Sequence, residues 1–239
     1  MKFLVLQHVD VEHPGIFRDF MRAEDTAWDT VELDRGEALP APDDYAALIV
    51  MGGPMDVWED AIHPWLAAEK AFIRHWIVAL ERPFLGVCLG HQLMAAALGG
   101  RVAPASQGEV GILPVALTAA GRAHAFFDGV PDHFECLQWH GAEVAEPPSG
   151  SAVLAASAAC AVQALAYGRR AFGFQFHVEV IASTVDDWAA IPAYAAALRQ
   201  HLGADGAAGF RTATAARMGD FNALARTVWN NWRRAAFAP

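Results

Sequence analysis

The chain has 239 residues, of which 54% are hydrophobic and 18% are charged, enough for one large or two small domains with a sizeable core. A formal net charge of −10 argues against nucleic acid or an anionic membrane as the main partner. No apolar run approaches the ~20 residues of a membrane span, and the amino terminus lacks signal-peptide features. Three cysteines do not make a disulfide framework, so we expect a reducing, cytoplasmic setting.

Short apolar segments alternate with helical ones through the first hundred residues. Strands are predicted at residues 3–9, 28–33, 46–51 and 84–87, and helices at residues 15–23, 64–80 and 89–98. The strands show little alternation of polar and apolar residues, which is typical of a parallel sheet covered on both faces. The pattern therefore predicts an α/β fold with a mostly parallel sheet flanked by helices.

The middle of the chain changes character. Strand-like runs at residues 110–118, 135–139, 153–156, 162–167 and 171–178 have few helices between them, which predicts small antiparallel additions to the parallel core. Ser183 is a candidate N-cap for a last body helix running to Leu202.

The carboxyl-terminal segment is rich in Ala, Gly and Arg. We expect a main domain at residues 1–203, a linker at residues 203–209, and a tail helix that begins at Asp220. That helix carries an apolar stripe at helical spacing, formed by Phe221, Leu224, Val228, Trp229 and Trp232. We expect the stripe to pack on the body, in preference to a role as a partner-binding helix.

A candidate nucleophile lies at the end of a predicted strand, in Gly86-Val87-Cys88-Leu89-Gly90. Small residues two before and two after a nucleophile permit a sharp strand-to-helix turn that lifts its side chain out of the sheet. The positive end of the helix dipole favours a thiolate, and the N–H of Leu89 is free to bind an oxyanion. Alone, the pentapeptide is equally consistent with a buried core cysteine.

A candidate base and its orienting carboxylate lie in Phe174-Gln175-Phe176-His177-Val178-Glu179. On an extended strand, residues two apart face the same side, so Glu179 can hold one ring nitrogen of His177 and leave the other for a thiol. Alternatives are a weak ion pair at a strand end and a metal site formed by His177, Glu179 and His140. The metal site lacks a fourth ligand at an established spacing.

A third element is Gly52-Gly53-Pro54, directly after a predicted parallel strand. Ligands of open α/β sheets sit at the carboxyl ends of the strands, and a glycine there lets a backbone N–H approach a substrate carbonyl. Gly53 is thus a candidate second oxyanion donor. The segment lacks the Gly-Lys-Ser/Thr ending of a phosphate loop, and by itself is also consistent with an ordinary turn.

Together, these three motifs, with His91 and Gln92 extending the cysteine motif, resemble class I (triad-type) glutamine amidotransferases, nearest to the glutaminase domain of GMP synthase and its stand-alone relatives. The resemblance covers roughly residues 1–180 in the family's order and spacing. It implies a flavodoxin-like fold and hydrolysis of the glutamine side-chain amide through a cysteinyl thioester, with release of ammonia. It implies no cofactor and no metal.

Carried over by position, the resemblance makes Cys88 the nucleophile, His177 the base and Glu179 the residue that orients it. Gly53 and Leu89 correspond to the oxyanion hole, and further candidates for substrate contact are Gly52, Gln92, Trp139 and Gly141. One departure is Val178, which stands where the family usually has proline. Because the intervening side chain points away from the site, we expect the pairing of His177 with Glu179 to survive.

No pyrophosphatase or nucleotide loop of a synthetase is found in the chain. Three hypotheses remain: a stand-alone hydrolase of glutamine or another γ-glutamyl compound, a glutaminase subunit that is active only with a separate synthetase, and a non-catalytic binding or regulatory module. The sequence leaves open whether copies of the chain associate into a homo-oligomer.

Overall fold

The structure, a computed structural model, describes residues 1–238. Its strands are β1 (Lys2–Gln7), β2 (Ala27–Glu32), β3 (Ala47–Val50), β4 (Phe84–Val87), β5 (Arg101–Leu117), β6 (His133–Glu146), β7 (Ser151–Ala156), β8 (Ala164–Tyr167) and β9 (Ala171–Phe174). Its α-helices are α1 (Phe17–Ala23), α2 (Trp65–Arg74), α3 (Leu89–Ala97), α4 (Ala119–Arg122), α5 (Thr184–Ala189), α6 (Pro192–Leu202) and α7 (Gly206–Ala236). A π-helical turn, His75–Ala79, continues α2, and 3₁₀ turns span Leu33–Arg35, Pro42–Asp44 and Ala125–Phe127.

One sheet contains all nine strands, in the order β2-β1-β3-β4-β9-β8-β7-β5-β6. The strands from β2 to β9 pair in parallel, and those from β9 to β6 pair antiparallel. Strands β3, β4 and β9 are buried along their whole length because helices cover both faces, as their apolar sequences require. The predicted α/β fold with antiparallel additions is therefore confirmed.

The antiparallel half is larger than its sequence pattern indicates. Strand β5 is 17 residues long and β6 is 14 residues long. Their pairing contains a register shift between Pro104 and Glu109. Proline interrupts the pattern from which strands are predicted, because it lacks the N–H that a ladder uses. The irregular stretch of β5 accommodates this residue, so the strand begins at Arg101, well before the predicted start at Val110.

Strand β9 ends earlier than expected, and the prediction of a strand through Val178 is wrong. The N–H of Gln175 still donates next to β8, to Gln163 O (2.9 Å), but that of His177 changes partner and donates to Leu137 O on β6 (2.8 Å). His177 thereby forms an isolated bridge with β6 instead of continuing the ladder of β9. The antiparallel strands, and not the parallel core, fix its position.

The single helix predicted from Ser183 to Leu202 is also wrong, because the segment forms α5 and α6 with a break between them. Pro192 is the first residue of α6, where its missing N–H costs nothing, whereas inside a continuous helix it would clash with the preceding turn. The side chain of Ser183 makes no capping hydrogen bond.

Helix α7 begins at Gly206, so most of the expected linker is helical and the predicted start at Asp220 is wrong. Alanine-rich sequence before Asp220 favours helix despite Gly209 and Gly219. Near the end of α7, Trp229 stacks on Phe17 with ring centroids 5.3 Å apart, and Trp232 meets Phe3 edge-on at 5.7 Å. Within residues 1–238, no helix combines the length and apolar composition that a membrane span requires.

Candidate active site

Cys88 occupies a strained turn between β4 and α3. Its backbone has φ 51° and ψ −104°, a region that a residue other than glycine rarely adopts, and its N–H donates to Phe174 O at 2.9 Å. The flanking glycines are needed sterically. A Cβ on Gly86 would collide with the backbone of Gly90, and a Cβ on Gly90 would collide with the backbone of Val50. The sharp strand-to-helix turn expected from the sequence is therefore present, with Cys88 buried at its tip.

His177 and Glu179 meet as the spacing predicts, although not on a regular strand. His177 Nδ1 lies 2.7 Å from Glu179 Oε1, and the ring is near enough to the Cys88 thiol for each group to shift the pKa of the other. The side chain of Val178 is buried in the apolar core, and the carbonyl of Glu179 accepts from the N–H of Ile16 at 2.8 Å. Because Nδ1 donates to the carboxylate, Nε2 is the nitrogen available to the thiol.

Burial and charge act against each other in this series. Burial lowers the pKa of His177, but the charges of Glu179 and Cys88 and their hydrogen bonds outweigh it and hold the pKa well above its usual value. Burial raises the pKa of the Cys88 thiol, and the neighbouring His177 reduces that increase. The pairing with Glu179 thus favours the imidazolium that forms when the thiol proton moves to His177.

Gln175 is a member of the site that the sequence reasoning missed. Its Nε2 lies 3.4 Å from Cys88 Sγ, within hydrogen-bond distance for sulfur. The amide orientation is fixed by Gln92, whose Nε2 donates to Gln175 Oε1 (3.0 Å) and to Ala142 O (3.1 Å). The NH₂ group of Gln175 must therefore face the sulfur. Its position two residues before His177 was the available signal.

A cavity of about 180 Å³ opens at Cys88. Of the residues predicted for the site, Gly53, Cys88, Gln92, Trp139 and Gly141 line it, together with Pro54, Met55, Asp56, His140, Ala142, Ala193, Tyr194 and Ala197. Gly52, Leu89, His177 and Glu179 lie outside this lining. The motif residues from three distant parts of the chain thus converge at one end of the sheet.

The loop of Gly52 and Gly53 is held from behind by a buried histidine. His8 Nδ1 donates to Gly52 O (2.8 Å), and its Nε2 lies 2.9 Å from Glu69 Oε1. Burial lowers the pKa of His8, but the charge of Glu69 and the hydrogen bonds outweigh it and raise the pKa, which favours an imidazolium that donates to both partners. A Cβ on Gly53 would come within 2.9 Å of Leu89 Cδ2, so a side chain at residue 53 would crowd α3.

Two further side chains beside the triad had no sequence signal that we recognised. Glu12, in the segment after β1, is buried and accepts a hydrogen bond from the hydroxyl of Tyr194 on α6. One carboxylate oxygen of Glu12, one of Glu179 and a ring nitrogen of His177 lie within 4.8 Å of one another. Glu12 follows a parallel strand at its carboxyl end, which is where ligand-binding residues of such sheets gather.

Two clusters of three side chains have the chemistry to hold a metal ion: Glu12, His177 and Glu179, and Glu109, His140 and Cys160. In each, a histidine already pairs with a carboxylate, and His140 Nε2 lies 3.1 Å from Glu109 Oε2. Among residues 1–238, the ligand atoms of His140, His177 and Glu179 do not all lie within 4.8 Å of one another. The alternative metal site considered from the sequence is therefore not formed.

Comparison with known proteins decides the family. The profile of the family described as "Glutamine amidotransferase class-I" matches residues 21–188. The chain belongs to this family. The resemblance inferred from the three motifs is confirmed, and with it the assignment as a glutamine amidotransferase enzyme.

The relatives differ in how much of this chain, and of their own length, the similarity covers. The glutamine amidotransferase-like protein YfeJ of Salmonella typhimurium is 31% identical over 193 residues, which are 78% of this chain and 79% of YfeJ. A glutamine-hydrolysing GMP synthase subunit from Sulfolobus acidocaldarius is 33% identical over 57% of this chain and 69% of its own. A crystal structure of a glutamine amidotransferase from Methylobacillus flagellatus superposes with a TM-score of 0.88 and 29% identity, covering 100% of this chain and 96% of that one. Against several full-length GMP synthases, the chain spans only about a quarter of the relative.

Proposed function

We propose that the protein hydrolyses the side-chain amide of glutamine, or of a related γ-glutamyl compound, through a thioester on Cys88. The observation that carries this proposal is that Cys88 lines a cavity with His177 beside it, and that His177 is hydrogen-bonded in turn to Glu179, in a chain of this family. The geometry has the two contacts of a nucleophilic triad, from nucleophile to base and from base to orienting carboxylate.

The proposed reaction has two halves. His177 takes the thiol proton while Cys88 Sγ attacks the amide carbon, and the N–H groups of Gly53 and Leu89 stabilise the resulting oxyanion. His177 then returns the proton to the leaving nitrogen, which departs as ammonia or an amine and leaves the thioester. In the second half, His177 deprotonates a water that attacks the thioester, and the acid and free thiol are released.

Recognition of the amino-acid end of the substrate is assigned to the cavity wall. Gln92, Trp139 and Gly141 line the cavity and are the proposed contacts. Gly52, which the sequence also suggested, lies behind the wall, where its carbonyl accepts from His8. Its proposed role is therefore to hold Gly53 in place.

The test is affinity labelling with an electrophilic glutamine analogue, read out by peptide mass spectrometry. We expect stoichiometric modification of Cys88, no modification after Cys88→Ser, and retention of the fold in that variant by circular dichroism. Cys136→Ala and Cys160→Ala are matched controls, because both thiols are free and buried elsewhere in the core, and both variants should label normally. Labelling at Cys136 or Cys160 instead would refute the site.

A second candidate function is that of a glutaminase subunit that works with a separate synthetase. It is favoured by the similarity to the GMP synthase subunit from Sulfolobus acidocaldarius, of which the chain covers 69%. Ammonia release from glutamine by the purified chain at full rate, and recovery of no synthetase in a pull-down, would exclude it. A rate that rises only when a synthetase is added would support it over the stand-alone hydrolase.

The organisation of the chain follows from the same proposal. Residues 1–203 carry every proposed site residue and are proposed as the catalytic domain, with residues 204–239 as an accessory segment. The three free thiols accord with a reducing compartment, and we propose the cytoplasm.

A further inference from the structure

Two carboxylate oxygens beside the triad are buried and lack a hydrogen-bond partner. They are Oε2 of Glu12 and Oε2 of Glu179, and neither has one within residues 1–238. The other oxygen of each group is satisfied: Glu12 Oε1 accepts from Tyr194, and Glu179 Oε1 pairs with His177. An unpaired polar atom in the interior is unfavourable by roughly 1–3 kcal/mol, and more if charged, so two of them beside the same histidine require an explanation.

Two ionised carboxylates whose nearest oxygens lie within 4.8 Å of each other are more unfavourable still. Glu12 is 1% exposed and Glu179 is 2% exposed, and no Lys or Arg forms an ion pair with either within residues 1–238. Like charges that share a site of low dielectric do not both ionise readily, and one of them retains a proton. A single proton on one group converts two acceptors that repel each other into a donor and an acceptor, and satisfies both free oxygens at once.

We propose that Glu12 is the protonated partner, and that its hydroxyl donates to the free oxygen of Glu179 and thereby positions Glu179 against His177. The hydrogen-bond directions are then consistent throughout. Tyr194 donates to the carbonyl oxygen of Glu12, Glu12 donates to Glu179, and His177 Nδ1 donates to the other oxygen of Glu179. Glu179 remains the single anion that supports the imidazolium.

The charged surroundings of Glu12 favour this assignment over the reverse one. Burial raises its pKa most strongly, and the charge of Glu179 acts in the same direction, while His177, Tyr194 and His8 act to lower it. The net effect is that the pKa of Glu12 is raised. Glu179, in contrast, already accepts a hydrogen bond from the ring of His177, whereas the partner of Glu12 is the neutral hydroxyl of Tyr194.

The consequence, which rests on the proposed function, is that α6 contributes to catalysis through Glu12 without touching the reacting atoms. Tyr194 lines the cavity and fixes Glu12, and Glu12 fixes the carboxylate that orients the base. Glu12 is therefore a positioning residue. The Oε2 atom of Glu12 also faces Gly52, where an added Cβ would collide with that oxygen, so the loop confines the carboxylate to this place.

The experiment compares Glu12→Gln with Glu12→Met in the full chain. The glutamine amide keeps a donor for Glu179 and an acceptor for Tyr194, so we expect kcat within about threefold of the parent. Methionine fills a similar volume without either bond, and kcat should fall about ten- to a hundredfold with KM little changed. A purely structural role of Glu12 predicts instead that kcat and thermal stability fall together in both variants.

Infrared difference spectroscopy at neutral pH tests the proton directly and needs no turnover. The parent should show the carbonyl stretch of a protonated carboxylic acid, and Glu12→Gln should lack it. Glu32→Gln is the matched control, because burial also raises the pKa of Glu32, which lies on β2, and the band should persist there. Persistence of the band in Glu12→Gln, or parental kcat in Glu12→Met, overturns the proposal. Failure of Cys88 labelling with the band intact would instead refute the proposed function alone.

Discussion

At the scale of single residues, the reactivity of Cys88 depends on how its neighbours oppose burial. Apolar surroundings raise the pKa of the thiol, and His177 and the amide of Gln175 are placed to stabilise the thiolate. A hydrogen bond to a charged group is worth about 1.5–3 kcal/mol, which corresponds to roughly one to two pKa units. Each neighbour should therefore set the pH at which the cysteine becomes reactive.

We predict that the pH profile of Cys88 alkylation moves to higher pH in His177→Asn and in Gln175→Met. The sign follows from the contacts: removing a group that lowers the pKa of the thiol raises that pKa, so more alkaline solution is needed for the same thiolate fraction. The measurement is the alkylation rate between neutral and alkaline pH. Gln138→Met, which removes another buried amide on β6, should leave the profile in place. Coincident profiles for the parent and Gln175→Met would contradict the assigned contact.

The triad candidates were accessible from sequence because each carries a local signature. Small residues flank Cys88, and His177 and Glu179 alternate as on a strand. Gln175, Glu12 and Tyr194 carry none that we used: Gln175 meets Cys88 from 87 positions away in the chain, and Tyr194 meets Glu12 from 182 positions away. A local sequence pattern shows how neighbouring residues are spaced. It does not show which residue from a distant segment will contact them.

At the scale of secondary-structure elements, the helix and strand types were predictable and several boundaries were not. Periodicity identified the parallel strands and α3, since their burial is set by the core. The end of β9, the break before α6 and the start of α7 depend on which partner the backbone finds, or on one proline. Such choices are made by tertiary hydrogen bonds, which periodicity does not record.

Glycines in different elements should respond oppositely to the same substitution. Gly219 lies on an exposed turn of α7, where an added Cβ would meet no atom within 4 Å, so Gly219→Ala should stabilise the protein by about 0.5–1 kcal/mol. Gly90 faces the carbonyl of Val50, and Gly90→Ala should destabilise by about 1–3 kcal/mol and suppress Cys88 labelling. Urea unfolding measures both. A stabilised Gly90→Ala variant that labels normally would show that the turn does not need a glycine there.

At the scale of the whole molecule, α7 joins the two ends of the structure. Its first half places Phe210 against Trp139 in the cavity wall, with ring centroids 5.5 Å apart, and its second half places Trp229 between Phe17 and Phe20. The two contacts belong to separate clusters of buried residues. One helix therefore contributes to stability at one end and to the shape of the site at the other.

We predict that these contributions separate on mutation. Trp229→Ala removes a large buried ring from the main core and should lower the free energy of unfolding by about 3–5 kcal/mol, with kcat per folded molecule unchanged. Phe210→Ala leaves Trp139 without one of its supports, so KM should rise several-fold while stability falls less, because Phe210 belongs to the smaller cluster. Chemical unfolding and steady-state kinetics on the same preparations decide the matter. If Phe210→Ala alters stability alone, α7 supports the fold only, and the wall of the cavity is held in place by the rings of α5 and α6.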